Sequence, residues 1–175
     1  RHRRCASRTF ERLPAFAPNV EVVFVEGGSN DGTADEIRRC IPLYSGKFTV
    51  RLLSQGKTSG KVQAVRQALV EAGGDVLMLL DGDIQLQPED AFKFYLAIAE
   101  DHAEFVNASR MIYPLEKNAM RPFNFVANQL FARVFTWLLA QTMKDTLCGT
   151  KVMLKRNYRG IDGERFFFGD MDHYG

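Results

Sequence analysis

Short apolar runs alternate with helical patterns along the chain, and this alternation constrains the fold more than any other feature. The runs that predict strands are Glu21–Val25, Phe48–Leu53, Val76–Leu80 and Glu104–Ala108. The segments between them predict helices over Ala34–Ile41, capped by Thr33, over Lys61–Ala72, and from Pro88 to about Glu100. Strands and helices that alternate at this spacing form right-handed crossovers. The sequence therefore predicts a single α/β domain over 1–175, with a mostly parallel open sheet flanked by helices.

The segment 122–142 predicts a long helix that is apolar around most of its circumference. At about 20 residues it is long enough to span a bilayer, but Asn124, Asn128, Gln129 and Arg133 interrupt it. These polar residues favour an amphipathic helix at an interface, and both peripheral membrane contact and packing against the sheet fit the pattern. Thr150–Leu154 predicts a further strand.

Composition and charge exclude several classes of protein. The hydrophobic content of 46% excludes a disordered chain, and 23 Lys and Arg against 21 Asp and Glu give a net charge of +2, which argues against nucleic-acid binding. The three cysteines, Cys5, Cys40 and Cys148, form no CxxC pair and predict no zinc site. Together with the absence of a signal-peptide pattern, they predict a cytoplasmic protein, peripheral at the cytoplasmic face of the membrane if 122–142 contacts lipid.

Two aspartates, Asp81 and Asp83, stand directly after the most apolar predicted strand. Open α/β sheets bind ligands at the carboxyl ends of their strands. Two carboxylates separated by one residue can share a hard divalent cation, which then bridges to phosphate oxygens, and Gln85 offers a neutral oxygen ligand nearby. The segment therefore predicts a site for Mg²⁺ or Mn²⁺.

The turn Glu26–Thr33 follows the first predicted strand and precedes a helix. Its small residues allow a planar base or a phosphate to approach the backbone. Two common nucleotide motifs do not fit the chain. A phosphate loop ending at Gly56-Lys57-Thr58 would need glycine where Arg51 stands, and one ending at Gly60-Lys61 would need Ser or Thr in place of Val62. The glycines of the turn Glu26–Thr33 do not make the dinucleotide motif G-x-G-x-x-G.

Three motifs together resemble those of the family 2 glycosyltransferases. They are Val-Phe-Val-Glu-Gly-Gly-Ser-Asn-Asp-Gly-Thr at 23–33, Leu-Leu-Asp-Gly-Asp-Ile-Gln at 79–85 and Asp-Thr-Leu-Cys-Gly-Thr-Lys-Val at 145–152. Within that family the chain is most similar to the branch of dolichyl-phosphate mannosyltransferases and bacterial polyprenyl-phosphate glycosyltransferases. The resemblance implies a GT-A fold and inverting transfer of a sugar from a nucleotide-sugar donor, a UDP- or GDP-sugar, to a polyprenyl phosphate or a similar acceptor.

The resemblance also implies roles for residues on the donor side. Asp81 and Asp83 match the metal-binding motif, and Gln85 matches a position that supplies a further ligand. Glu26 stands beside the expected position of the base, where Gly27 replaces a second acidic residue. The residues expected to bind the nucleotide sugar are Glu26, Gly27, Ser29, Asp31, Lys61, Asp81 and Asp83.

On the acceptor side, the resemblance points to two arginines and one aspartate. Arg110 and Arg121 fall near positions where arginines contact phosphates. Asp170 matches the acidic position that serves as catalytic base in many relatives. A lipid phosphate is already ionised near neutral pH, so with that acceptor Asp170 positions it or steadies the loop, and with a hydroxyl acceptor it is the general base.

The resemblance divides the chain into a nucleotide-sugar-binding half, 21–110, and an acceptor half, 111–175. It also predicts a fragment truncated at both ends, with weak or absent activity. Two alternatives remain open at this point: a nucleotide-binding protein similar to the P-loop NTPases, and a glycosyltransferase remnant that binds ligands without turnover.

Overall fold

The computed structural model describes residues 2–56, 60–84, 87–109, 122–146 and 148–160. The helices and strands, in chain order, are α1 His2–Arg12, β1 Glu21–Glu26, α2 Thr33–Tyr44, β2 Thr49–Ser54, α3 Lys61–Glu71, β3 Val76–Leu79, a 3₁₀ turn Pro88–Asp90, α4 Ala91–Ala99, β4 Phe105–Asn107, α5 Pro122–Leu139, β5 Lys151–Leu154 and α6 Lys155–Gly160. The predicted alternation of strands and helices is therefore confirmed.

The described strands form two sheets. β1 and β2 are parallel, and their register runs from Glu21 opposite Thr49 to Glu26 opposite Ser54. β5 lies between β3 and β4 and is antiparallel to both, so β3 and β4 run in the same direction. The prediction of a mostly parallel sheet is wrong for the pairings of β5. β5 follows β4 after the helix α5, but it runs in the opposite direction to β4, so this connection is not the parallel crossover that links β1 to β2.

The main core forms where α1 packs onto the sheets. Phe10 is 1% exposed, and its ring stacks on Tyr44 with centroids 5.2 Å apart and contacts Phe24 at 5.1 Å. Val22 and Phe24, two positions apart on β1, pack against this core because alternate side chains of a strand share one face. The sequence reasoning missed α1, although Ala6, Phe10 and Leu13 are buried at helical spacing.

Two of the helix ends that differ from the prediction have a clear backbone cause. α2 is not capped by the side chain of Thr33: Gly32 occupies the cap in a left-handed conformation with φ 77°, and Asp31 accepts a hydrogen bond from the Thr33 N–H at 3.1 Å. α5 ends at Leu139 rather than at 142, because Ala140 has a φ of 51° and leaves the helical region. Among the helices in the described ranges, none has the length and apolar character needed to cross a bilayer.

Candidate functional site

The turn after β1 is organised around the carboxylate of Glu26. This carboxylate accepts hydrogen bonds from the backbone N–H groups of Ser29 at 2.5 Å and Gly28 at 2.8 Å. The N–H of Ser29, and then that of Gly28, holds the pKa of Glu26 below its ordinary value. The carboxylate of Asp31 accepts hydrogen bonds from the backbone N–H and the hydroxyl of Thr33, at the start of α2.

Gln55 connects the turn after β1 to the start of α3. A Cβ atom on Gly27 would lie 2.6 Å from the Gln55 side-chain oxygen, so the absence of a side chain at Gly27 lets the amide approach. The Gln55 amide nitrogen donates to the Gly60 carbonyl at 2.8 Å, and the backbone N–H of Gln55 donates to the Glu26 carbonyl at 3.0 Å. Sequence reasoning missed Gln55, which follows β2 directly and so lies at the same sheet edge as Glu26.

Asp81 lies just after β3 and is held from two sides. Lys61, the first residue of α3, places its ammonium 2.6 Å from Asp81 Oδ1. On the other side a Cβ atom on Gly149 would lie 2.5 Å from the Asp81 carboxylate carbon, which is closer than such atoms approach. Gly149 therefore leaves the space in which this carboxylate lies, and it was not among the predicted site residues although it belongs to the 145–152 motif.

The turn after Asp81 is strained. The Ile84 N–H donates to the Asp81 carbonyl at 3.3 Å, and Ile84 has a φ of 57°, a genuine outlier for a β-branched residue. Strain of this kind clusters at ligand-binding and catalytic sites. Asp83, within the turn, is exposed. Thr9 of α1 and Thr150 line a small cavity together with Asp81, so α1 forms part of the wall of this site.

A buried polar network ties α5 to the sheet beside this site. The Asn128 amide donates to Asp145 Oδ1 at 3.0 Å and accepts from the Thr146 N–H at 2.9 Å, and Asn128 and Asp145 are almost fully buried. Asn107 on β4 donates to the Asp145 carbonyl at 2.8 Å. Sequence reasoning missed the network, although Asn128 stood out as a polar residue within an apolar helix.

Lys151 extends this network toward Asp81. Its ammonium donates to the Asn107 side-chain oxygen at 2.5 Å and to the Cys148 carbonyl. Burial lowers the pKa of Lys151, and the negative charges of Asp145 and Asp81 oppose that effect in part. Cys148 is 3% exposed, as expected for a small core residue.

The structure brings together part of the predicted site. Lys61 and Asp81 are in contact, and Glu26, Gly27 and Ser29 share a turn that Gln55 joins to the start of α3. Gln85, Arg110, Arg121 and Asp170 lie outside the described residues, and their roles stay predictions.

The donor set at the Asp81–Ile84 turn fits a hard cation that also binds phosphate. Carboxylate oxygens are the ligands that Mg²⁺ prefers, and Mg²⁺ in phosphate sites is held by one or two protein carboxylates, with water and phosphate completing the shell. Among the described residues, no group of three or more His, Cys, Asp or Glu side chains forms a closed metal cage. The carboxylates of Asp81 and Asp83 are of the ligand type that a cation shared with a phosphate substrate binds.

Comparison with known proteins identifies the family. The model of Glycosyl transferase family 2 matches residues 3–159. A dolichol-phosphate mannosyltransferase of Saccharomyces cerevisiae is 31% identical over 90 residues, which is 51% of this chain and 32% of the relative. One of Pyrococcus furiosus is 34% identical over 80 residues, 46% of this chain and 22% of the relative. A human dolichyl-phosphate beta-glucosyltransferase is 24% identical over 168 residues, 90% of this chain and 51% of the relative.

The chain spans about half of the length of these relatives, or less. The family match covers the turn after β1, the Asp81–Ile84 turn and the 145–152 motif, which all contribute to the site described above. It favours the glycosyltransferase interpretation over a P-loop NTPase and confirms the GT-A type of α/β fold that the resemblance implied. The chain belongs to glycosyl transferase family 2.

Proposed function

We propose that this chain carries the catalytic part of an inverting glycosyltransferase that moves a sugar from a UDP- or GDP-sugar to a polyprenyl phosphate. The observation that carries the proposal is the position of Asp81, two residues beyond β3, between the ammonium of Lys61 and the backbone of Gly149. The names of the relatives support the acceptor class, because those reported above are named for dolichol or dolichyl phosphate.

Asp81 and Asp83 would hold Mg²⁺ or Mn²⁺, with Gln85 as a further ligand. The cation supplies neutralisation of the charge that develops on the departing nucleoside diphosphate. The ammonium of Lys61 adds a second positive charge beside Asp81. Lys61 is also the first residue of α3, so the positive end of the helix dipole lies at the same place. These groups together favour a diphosphate at this edge of the sheet.

Glu26 would contact the donor through its base or ribose. Its carboxylate is held in place by the N–H groups of Gly28 and Ser29, so it is oriented before a ligand arrives. The low pKa of Glu26 keeps it ionised and able to accept hydrogen bonds from a base or a sugar hydroxyl.

The acceptor half would bind the lipid phosphate. Arg110 and Arg121 are proposed to hold the acceptor phosphate, whose oxygen is ionised near neutral pH and attacks without a strong base. Asp170 would then position the acceptor, and with a hydroxyl acceptor it would remove the proton. A lipid acceptor implies that the protein works at a membrane surface, and we propose the cytoplasmic face.

Donor binding tests this proposal. A ligand that binds only the native state raises its melting temperature, so UDP- and GDP-sugars are screened with Mn²⁺, with Mg²⁺ and with a chelator. We expect one nucleotide class to raise the melting temperature only when the metal is present, and Asp83→Ala to abolish this rise. Asp35→Ala is the matched control, since Asp35 is an exposed carboxylate on α2 that pairs with the exposed side chain of Arg38 at 2.8 Å.

Three outcomes would contradict the proposal. The first is a melting temperature that is indifferent to metal and to Asp83→Ala. The second is phosphate release from ATP or GTP without an acceptor, which would favour the NTPase alternative. The third is metal-dependent donor binding with no transfer, however slow, to any polyprenyl phosphate, which would favour a remnant that binds ligands without turnover; slow transfer would agree with the weak activity expected from the sequence.

A further inference from the structure

A lysine that the proposed chemistry does not use lies at the carboxyl ends of β3 and β4. Lys151 is the first residue of β5, and the strand register places it opposite Leu79 on β3 and Asn107 on β4. Leu79 is the last residue of β3 and stands two positions before Asp81. The side chain of Lys151 is half-buried, and an ammonium withdrawn from water is costly unless hydrogen bonds satisfy it. Its hydrogen-bond partners therefore indicate what it does.

The turn before β5 is closed by the side chain of Lys151. The pairing of β5 with β3 and β4 begins at Lys151, so residues 148–150 precede the ladder. The Thr150 carbonyl accepts a hydrogen bond from the Ala108 N–H at 3.2 Å. The Cys148 carbonyl accepts one from the ammonium of Lys151. The lysine thus reaches back three residues and fixes the backbone on the amino-terminal side of Gly149.

The same ammonium is anchored to a buried network. It donates to the Asn107 side-chain oxygen at 2.5 Å, and the Asn107 amide donates to the Asp145 carbonyl at 2.8 Å. Asp145 is fully buried, and its carboxylate accepts a hydrogen bond from the Asn128 amide at 3.0 Å. A buried network whose members are hydrogen-bonded holds its groups rigidly. Lys151 therefore ties the turn before β5 to the protein interior.

This turn forms one wall of the position that Asp81 occupies. A Cβ atom on Gly149 would lie 2.5 Å from the Asp81 carboxylate carbon, so a shift of the turn changes the space left to that carboxylate. On the other side, the Lys61 side chain is 64% exposed and yields more easily than the buried turn. We propose that Lys151 is a positioning residue, which fixes Gly149 and through it the carboxylate of Asp81. The use of that carboxylate for a metal rests on the proposed function.

Mn²⁺ binding, measured by electron paramagnetic resonance without nucleotide, tests this role with a matched pair of variants. Lys155 is also half-buried and donates to a backbone carbonyl, that of Ala72, but it lies at the opposite end of β5. We expect Lys151→Met to weaken Mn²⁺ binding about tenfold and Lys155→Met to change it by less than about twofold. Loss of a positive charge alone would instead strengthen the binding of a cation. Unchanged or tighter binding by Lys151→Met, or equal losses in the two variants, would overturn the proposal.

A double substitution shows whether Lys151 acts through Gly149. Gly149→Ala is itself expected to displace the Asp81 carboxylate. In the Gly149→Ala protein, Lys151→Met should therefore weaken Mn²⁺ binding by less than about a further twofold. Losses that multiply would contradict the proposal, because they indicate independent effects. Circular dichroism checks the fold, and Lys151→Gln, whose side chain is shorter, replaces Lys151→Met if that variant does not fold.

Amide hydrogen exchange, followed by NMR, gives a readout that needs no metal. We expect the amides of residues 148–150 to exchange about fivefold faster in Lys151→Met than in the wild type, and at the wild-type rate in Lys155→Met. Unchanged exchange in Lys151→Met would overturn the proposal whether or not Mn²⁺ binds. Faster exchange in Lys151→Met, together with a wild type that binds no Mn²⁺, would contradict the metal of the proposed function and support the hold of Lys151 on the turn.

Discussion

Gly149→Ala is the substitution that tests the architecture of the site most sharply. The new Cβ atom would lie 2.5 Å from the carboxylate carbon of Asp81. The backbone on either side of Gly149 has little freedom to retreat, because Cys148 and Thr150 are 3% and 1% exposed. The carboxylate is therefore the group that moves, and it must move away from the position in which Lys61 holds it at 2.6 Å.

The magnitudes of two effects follow from this geometry. Overpacking of a well-packed position costs about 1–3 kcal/mol, and we expect the lower end because the side chain of Asp81 is 23% exposed and can rotate. Displacing a ligand group by about 1 Å costs roughly 100-fold in function. Affinity for a metal held by Asp81 should therefore fall far more than stability does.

The assay measures Mn²⁺ binding by electron paramagnetic resonance in the presence of the nucleoside diphosphate that the donor screen selects. Urea unfolding of the same samples reports stability. Gly46→Ala is the control, since a Cβ atom at Gly46 meets nothing within 4 Å. We expect Gly149→Ala to bind Mn²⁺ far more weakly than the wild type. An affinity within about twofold of the wild type, or a loss no larger than that of Gly46→Ala, would mean that Gly149 does not set the position of the Asp81 carboxylate.

Three further predictions concern stability and titration. Phe10→Ala should lower the free energy of unfolding by about 3–5 kcal/mol, because Phe10 is 1% exposed. Phe92→Ala should lower it far less, because Phe92 is 44% exposed. Equal losses of stability in urea melts would contradict the assigned core. An NMR titration should give the carboxyl of Glu26 a pKa below its ordinary value. Its contribution to stability is then complete above the unfolded-state pKa and is lost as the pH falls through the folded-state pKa. A normal or raised pKa would be inconsistent with the turn described here. Asn128→Ala should lower the free energy of unfolding by about 1–3 kcal/mol in urea melts, since it removes hydrogen-bond partners from buried Asp145 and from Thr146. Unchanged stability would mean that the network does not hold α5.

The positions of most elements could be predicted from local pattern. β1 extends one residue beyond the predicted Glu21–Val25, and α3 ends one residue before the predicted Ala72. These elements follow from apolar runs and helical spacing, which are properties of consecutive residues. Asp81 and Glu26 were likewise predictable, because residues that follow buried strands lie at the ligand-binding edge of an α/β sheet.

Contacts between distant positions were not predictable in the same way. The antiparallel insertion of β5 between β3 and β4 depends on pairing between strands far apart in the chain. The approach of Gly149 to Asp81, and of Asn128 to Asp145, depends on that insertion as well. The pattern of consecutive residues shows which residue type stands at each of these positions, but it does not show which distant residues contact it. α1 was missed for a different reason: its few apolar residues recur at helical spacing, but they stand among many arginines, so the segment is polar on average.

The most direct test of the central claim is transfer of a labelled sugar from the selected donor to a short-chain polyprenyl phosphate, with Mn²⁺ or with a chelator. We expect a lipid-linked sugar that forms only with the metal, and a loss of this product in Asp83→Asn but not in Asp35→Asn. Transfer that persists at the same rate in the chelator and in Asp83→Asn would contradict it.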